Sequence, residues 1–241
     1  MAKFSWQRWR GLLGIEASPV SHRERLISAL GASIGVIIVY AVTLALLGPT
    51  HAPLLAAPIG ATAVLLFAVP HSALSQPWPV IAGYAISTTI GVACATWLPN
   101  ELLAAGAAVG GSVAAMYYLR CIHPPSGAIA LMAVIGGDPI RALGFGFVLV
   151  PVLINVLAVV LVAIAFNALF AWRRYPAILS RSNTREAPVV KGYGAISHED
   201  FVYALTEMES FIDVSEEDLL RIYALATGRN PKAEDATPGR N

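Results

Sequence analysis

The chain has 241 residues, of which 56% are hydrophobic and 13% charged, and its formal net charge is +1. Because soluble domains carry about 25% charged residues, this composition excludes an ordinary soluble protein, and the near-neutral balance offers no basic surface for nucleic acid. Between residues 26 and 172 the formal charges are Glu101, Arg120, Asp138 and Arg141. A charge near the centre of a membrane-spanning helix costs about 2.5–3.5 kcal/mol. We therefore predict an all-α, polytopic membrane helix bundle in contact with the lipid bilayer.

Residues 1–25 form a basic N-terminal segment that lacks the apolar stretch of a cleavable signal peptide. Tryptophans and leucines lie among its basic residues, a pattern typical of a short helix at the membrane surface. A solvated cytoplasmic tail fits the same residues, and both interpretations stay open.

Residues 26–174 are the predicted transmembrane domain, with about six apolar segments. Four of them are long enough to cross a hydrocarbon core of about 30 Å, while the second and fifth are short and proline-rich at their start. We predict six crossings, although four crossings with two re-entrant segments also give an even number. The segments are Leu26–Leu47, Pro53–Val69, Pro79–Leu98, Leu102–Leu119, Ile122–Ile135 and Ala142–Trp172.

Small residues four positions apart occur in two of the long segments, at Gly31 and Gly35 and again at Gly106 and Gly110. Because such pairs let helices approach closely in lipid, we expect close packing within the protomer at both. A contact between copies in a homo-oligomer is the alternative.

Basic residues flank the first and last segments on the chain-terminal sides. The positive-inside rule then assigns both termini to the cytoplasm, in the inner membrane of a bacterium. These residues are Arg8, Arg10, Arg23 and Arg25 before the first segment, and Arg173, Arg174, Arg181, Arg185 and Lys191 after the last.

The two short segments share the pattern Pro-x-Gly-Ala-x-Ala, at 58–63 and 125–130. The pattern predicts an internal repeat of residues 26–98 and 101–171, with chance similarity as the alternative in so biased a composition. Proline suits the first turn of a helix, and Gly and Ala leave the adjacent N–H groups uncovered. Two half-helix N-termini near the membrane midplane would bind a small anion.

This interpretation gives a set of candidate binding residues. His123 is also a candidate for proton coupling, unless it lies in the headgroup region and only caps a helix. The primary candidates are Gly60, Ala61, Thr62, His123, Pro124, Pro125, Ser126, Gly127 and Ala128. The secondary candidates are His71, Gln76, Asn155 and Arg120. For Asn155 we expect a bond to a neighbouring helix, or to a backbone carbonyl freed by Pro151, rather than contact with the substrate.

Residues 175–241 are predicted to be a cytoplasmic tail with a linker and two short helices, which open at capping boxes at Ser197 and Ser215. A disordered end follows from residue 230. Cys94 and Cys121 lie in separate segments without metal-binding spacing, so we expect reduced packing residues. No cofactor is expected.

Three separated motifs resemble the HPP family of integral membrane proteins. They are "RCIHPPSGAIAL" at 120–131, "APIGATAVLLFAVPHSALSQPW" at 57–78 and the helix beginning at Pro151. The resemblance implies a compact bundle of at least four spans and a transporter, with chloroplast and cyanobacterial relatives linked to nitrite. Some members carry paired CBS domains after the membrane part. The stretch 196–226 is similar to the segment leading into them, but we expect no CBS domains and no nucleotide regulation here.

Together these features predict a transporter or channel for a small monovalent oxyanion, nitrite first. The alternative is a non-transporting membrane anchor or sensor whose tail docks a partner. Phosphate-binding loops and nucleophile elbows are absent from the sequence, and the apolar core has too few charged residues for hydrolysis or phosphoryl transfer, so an enzyme is not expected.

Overall fold

The computed structural model describes Leu13, residues 20–49 and residues 52–181. The predicted N-terminal surface helix and the two tail helices fall largely or wholly outside these residues. Every regular element in the described part of the chain is helical, as predicted for a membrane helix bundle. The helices are α1 His22–Leu47, α2 Ala52–Ala68, α3 Pro77–Trp97, α4 Glu101–Tyr118, α5 Pro125–Ile135, α6 Asp138–Leu143, α7 Ile154–Ala168 and α8 Ala177–Arg181.

Local sequence explains where several of these helices begin. Ser21 caps α1, because its hydroxyl accepts a hydrogen bond from the backbone N–H of Glu24 (3.2 Å). Asn100 caps α4 through the N–H of Leu103 (3.0 Å). Proline occupies the first turn of α3 and of α5, where its missing N–H removes no helical bond.

A π-helical turn precedes α7 and continues into it. This turn covers Val148–Leu153 and contains Pro151, while Val150 has extended backbone angles (φ −126°, ψ 115°). Proline removes one helical hydrogen bond and displaces the chain from the regular path. The last membrane segment is therefore kinked near its start.

Three helical stretches are long and apolar enough to cross a membrane: His22–Leu46, Pro77–Trp97 and Val148–Ala168. α4 has 18 residues, which extend about 27 Å, and α2 has 17, which extend about 26 Å. α5 has only 11 residues and extends about 16 Å. Large apolar side chains are exposed on the outside of the bundle, as expected beside lipid; examples are Leu30, Ile37, Leu103, Val113 and Leu161.

Contacts between helix ends show that successive segments run in alternating directions. At one end of the bundle, Trp78 Nε1 at the start of α3 donates to the carbonyl of Leu119 after α4 (3.2 Å). Arg173, beyond α7, pairs there with Glu24 of α1. We call this the terminal end, because both ends of the described chain lie there.

At the opposite, distal end, Arg141 of α6 pairs with Glu101 at the start of α4 (2.8 Å). The rings of Trp97 and Phe145 also lie 6.5 Å apart there. Six helical segments thus lie between the two ends, and α5 covers only the part of the bundle nearer the distal end.

The two predicted glycine pairs behave differently. Gly31 and Gly35 pack against the ring of Phe67, since an added Cβ would lie 2.5 Å and 2.7 Å from its atoms. This confirms close packing within the protomer at the first pair. Gly106 and Gly110 have open space in front of them, so the same expectation is wrong at the second pair.

A close backbone approach between α3 and α5 involves two glycines outside the predicted pairs. A Cβ at Gly91 of α3 would lie 2.5 Å from the carbonyl oxygen of Ala130 in α5, and one at Gly83 would lie 2.8 Å from Ser126 Oγ. The short α5 is therefore held tightly against α3.

Candidate functional site

The "RCIHPP" stretch turns back into the bundle after α4. Leu119 lies level with Trp78 at the terminal end, and Arg120 turns the chain with a positive φ of 53°. His123 contacts Tyr84 (ring centroids 5.6 Å apart), which lies six residues further along α3. Six residues of helix correspond to about 9 Å, so α5 begins inside the bundle, as predicted.

His123 is fully buried, with 0% of its surface exposed. The alternative position in the headgroup region is therefore wrong for this side chain. Its Nδ1 lies 2.9 Å from the carbonyl oxygen of Leu74. A carbonyl only accepts hydrogen bonds, so Nδ1 carries the proton and donates. In the neutral imidazole, Nε2 is then an acceptor.

The acceptor Nε2 is hydrogen-bonded to a threonine hydroxyl, and that hydroxyl is in turn hydrogen-bonded to a tyrosine. Thr62 Oγ1 lies 2.8 Å from His123 Nε2 and 2.8 Å from the Tyr84 hydroxyl. With neutral His123, Thr62 donates to His123 and accepts from Tyr84. All three side chains are buried. We call these three residues, one each from α2 and α3 and one from the turn before α5, the polar relay.

The polar relay joins the two Pro-x-Gly-Ala-x-Ala segments, but not through facing helix ends. Pro58 lies inside α2, which begins at Ala52, because the preceding Ala and Leu residues favour helix and neighbouring elements tolerate the lost bond. The N–H groups of Gly60, Ala61 and Thr62 belong to the helix interior and are not uncovered. The predicted half-helix N-terminus at Pro58 is wrong, and Thr62 contributes its side chain instead.

The N-terminus of α5 also has fewer free N–H groups than predicted. Pro124 and Pro125 have none, the N–H of Ser126 donates to the His123 carbonyl (2.9 Å), and that of Gly127 donates to the Pro124 carbonyl (3.0 Å). The expectation of uncovered N–H groups is therefore wrong at Ser126 and Gly127, because a tight turn uses them. Ala128 follows in the regular helix.

Two of the secondary candidates hold the chain at the terminal end. The Gln76 amide donates to the carbonyls of Pro70 (3.0 Å) and Ser72 (2.9 Å) and accepts from the N–H of Ala177 (3.0 Å). His71 Nε2 bonds the carbonyl of Arg174 (3.1 Å). The geometry of this turn therefore rests on bonds within the protein.

Tyr175 adds to the same contact, because its hydroxyl donates to the carbonyl of Ser75 (2.7 Å). Burial raises the pKa of the Tyr175 hydroxyl, which keeps it a donor. These bonds connect the segment after α7 to the turn that supports His123 through Leu74.

Asn155 makes the expected bond to a neighbouring helix, but its backbone partner is not the carbonyl that Pro151 frees. Its Oδ1 accepts from Thr43 of α1 (3.0 Å), and its Nδ2 donates to a backbone carbonyl, that of Pro151 itself (3.1 Å). Arg120 is exposed at the terminal end.

The structure reveals a buried arginine that the sequence analysis had counted only as an interfacial charge. Arg173 is 1% exposed and contacts Glu24 and Ser28 of α1 together with Asn167 of α7. Burial lowers the pKa of the Arg173 guanidinium, and Glu24 opposes that shift. Tyr84 was not among the candidate site residues either. The one sequence feature that could have indicated it is its position, as a tyrosine in the middle of a predicted membrane span.

Metal and thiol chemistry find little support in the part of the chain that the structure describes. No three His, Cys, Asp or Glu side chains there lie close enough together to hold a metal ion. Cys94 and Cys121 are free thiols.

Comparison with known proteins places the whole helical bundle in one family. A family model described as "HPP, transmembrane region" matches residues 17–176. Two transmembrane proteins of Dictyostelium discoideum are 38% and 35% identical over 120 residues, which is 48% of this chain. Those matches cover 42% and 38% of the two relatives, so the chain spans about two fifths of their length. No solved structure matches the chain.

Proposed function

The chain belongs to the HPP transmembrane family, and on that premise we propose that it transports a small monovalent oxyanion, nitrite first, across the membrane. The observation that carries this proposal is the polar relay, a connected set of buried hydroxyl and imidazole groups where three membrane segments meet. A bundle that served only as an anchor would not need polar groups at that depth, since each costs free energy to bury.

The chemistry of the relay region suits an ion that must bind and then leave. Ser126 offers a buried hydroxyl donor that has no partner in the protein, and protonation of His123 would release the Thr62 hydroxyl from Nε2; none of these groups is a permanent cation. Donors of this kind bind a monovalent anion weakly enough for release, whereas a fixed arginine or lysine would hold it more tightly. The proposal involves no chemical conversion of the ion and no cofactor.

We further propose that His123 couples transport to protons. When His123 gains a proton, Nε2 becomes a donor, and the Thr62 hydroxyl must turn from Nε2 towards the Tyr84 oxygen or the Pro58 carbonyl (3.4 Å). Protonation therefore reverses the direction of the relay. An anion arriving beside a protonated imidazole is stabilised by its charge, which links the two events.

We assign the protein to a bacterial inner membrane with the terminal end facing the cytoplasm. The support is the set of arginines at that end, including exposed Arg23, Arg25 and Arg174. We also propose a homo-oligomer, whose copies meet at the open glycine surface of α4 around Gly106 and Gly110.

Uptake of nitrite into proteoliposomes tests the proposed function. We expect uptake well above that of protein-free liposomes, and inhibition by other small monovalent oxyanions but not by sulfate, which is larger and divalent. Uptake equal to that of protein-free liposomes for every small anion tested would remove the transport proposal.

A further inference from the structure

The interface between α3 and α5 contains two buried hydroxyl groups besides the polar relay. Gly83 and Gly91 of α3 both face α5, at Ser126 and Ala130. Ser87 lies midway between them, and residues four apart share a helix face, so its side chain also faces α5. We call the surface formed by these five residues the α3–α5 interface.

Ser87 Oγ and Ser126 Oγ have no hydrogen-bond partner in the protein, although both residues are 0% exposed. They are the buried side-chain oxygen or nitrogen atoms of the described chain for which this holds. Neighbouring hydroxyls on α3 behave differently: Thr88 donates to the Tyr84 carbonyl (2.6 Å) and Thr96 to the Val92 carbonyl (2.8 Å). Burying a hydroxyl without a hydrogen-bond partner costs free energy. A polar ligand between α3 and α5 would supply the missing partner to both serines.

The α3–α5 interface leads to a pocket at the distal end. This pocket has a volume of about 210 Å³ and is lined by Val92 and Thr96 of α3, Ala133 of α5 and Arg141 of α6, among others. Ala133 also contacts the position that a Gly91 Cβ would occupy (2.9 Å). The pocket therefore borders the interface one helical turn beyond Ser87.

Charge at the pocket is supplied by Arg141, whose guanidinium bonds Glu101 (2.8 Å) and the Val134 carbonyl (3.1 Å). Arg141 is the only cationic residue lining the pocket, and both it and Glu101 are substantially exposed. The pocket lining therefore holds a guanidinium, whose charge is shared with the neighbouring Glu101 carboxylate.

We propose that the α3–α5 interface is the path of the anion between the distal pocket and the polar relay, with Ser87 and Ser126 as successive hydroxyl ligands. This inference rests on the proposed transport function and names the residues that the ion contacts on one side of the relay. Passage of an ion requires α5 to separate from α3, against which Gly83 and Gly91 pack it closely in this structure, and the two hydroxyls would replace part of the hydration shell of the ion.

The first test compares nitrite uptake by Ser87→Ala, Ser126→Ala and the matched control Ser112→Ala. Ser112 is equally buried, on α4, and its hydroxyl bonds the Ala108 carbonyl (2.6 Å). We expect the first two variants to raise the KM for nitrite by about tenfold, the effect of one lost hydrogen bond to a charged group. The control should keep the wild-type KM.

Wild-type KM values in both serine variants, in a protein that transports nitrite, would overturn the path while leaving the transport function standing. Absence of uptake by the wild type would instead contradict the proposed function itself. The two failures are therefore distinguishable.

A second measurement does not depend on uptake. In a Cys94→Ser, Cys121→Ala background, cysteine is introduced in place of Ser87 or of Ser112 and treated with a small, charged thiol reagent. We expect Ser87→Cys to react faster than Ser112→Cys, and sodium nitrite to slow the reaction at position 87 alone. Equal rates at the two positions, or no effect of nitrite, would overturn the proposal.

Discussion

His123 is held in one tautomer by a backbone carbonyl that comes from a distant turn. Leu74 accepts from Nδ1, so that the ring presents Nε2 to Thr62. The sequence indicates His123 and Thr62 as separate candidates for anion binding, but it does not indicate their direct contact. Such a contact depends on how α2 and the turn before α5 pack, which local sequence patterns do not report.

The central hydroxyl of the polar relay gives the first prediction. Thr62→Val keeps the shape of the side chain but leaves His123 Nε2 and the Tyr84 hydroxyl each without a buried partner, at a cost of about 1–3 kcal/mol per group. We expect a lower thermal unfolding temperature and a flattened pH profile of nitrite uptake.

Thr62→Ser is the matched control, because it retains the hydroxyl and should retain the pH profile. If Thr62→Val shows the wild-type dependence of uptake on pH, the relay takes no part in proton movement.

The buried ion pair at the terminal end gives the second prediction. Arg173 is 1% exposed and Glu24 15% exposed at the side chain. Glu24→Gln leaves the guanidinium buried with only neutral partners, and removal of one member of a buried pair costs about 3–5 kcal/mol. Chemical unfolding in detergent measures the loss.

Glu101→Gln is the matched control, because it breaks an exposed ion pair: the Arg141 side chain is 45% exposed and the Glu101 side chain 62% exposed. This variant should lose no more than about 1 kcal/mol of unfolding free energy. Equal losses in the two variants would mean that the contact of Arg173 with Glu24 adds nothing through its burial.

At the scale of elements, proline predicted a helix start correctly at Pro125 and wrongly at Pro58, and the start of α3 lies two residues before the predicted Pro79. Pro77 and Pro125 do open α3 and α5. Pro58 does not open a helix, because the residues from Ala52 onward already form one and the bundle tolerates the missing bond. Proline alone therefore cannot distinguish a helix start from a helix interior in a membrane chain.

Glycines illustrate the same limit. The spacing of Gly106 and Gly110 matched the expected packing motif, yet the close contact between α3 and α5 uses Gly83 and Gly91, eight residues apart on α3. A glycine motif indicates that one surface of a helix carries only small side chains. Which helix packs against that surface depends on the arrangement of all six segments.

The α3–α5 contact gives the third prediction. Gly91→Ala places a Cβ 2.5 Å from the carbonyl oxygen of Ala130, and this backbone atom cannot move without shifting α5. We expect a clear fall in the thermal unfolding temperature and a loss of nitrite uptake.

Gly106→Ala is the control, since nothing lies within 4 Å of the position that its Cβ would occupy. In a helix interior alanine is also more favourable than glycine, by about 0.5–1 kcal/mol. A Gly91→Ala protein as stable as this control would contradict the close approach of α3 and α5.

At the scale of the whole molecule, hydrophobicity and charge were enough to predict a helical membrane bundle, but not which segments are irregular: α2 is a continuous helix, whereas the last segment is kinked. The same information gave no depth for any residue. The position of His123 about 9 Å inside the terminal end follows from contacts with Tyr84 and Leu74 on other elements. The chain beyond residue 181, with its predicted tail helices, lies outside the described residues.

The orientation of the bundle gives the fourth prediction. In a cysteine-free background, an impermeant thiol reagent applied to intact cells should label Pro99→Cys, in the distal connection between α3 and α4. Arg174→Cys at the terminal end should react only after the membrane is permeabilised. The reverse pattern would contradict a cytoplasmic terminal end.

The most direct test of the polar relay as the transport centre is to record nitrite uptake and internal pH together in proteoliposomes containing either the wild type or His123→Ala. We predict that the wild type takes up nitrite with accompanying protons, and that His123→Ala loses both while remaining folded. Uptake of nitrite and protons by His123→Ala at the wild-type rate would contradict the account.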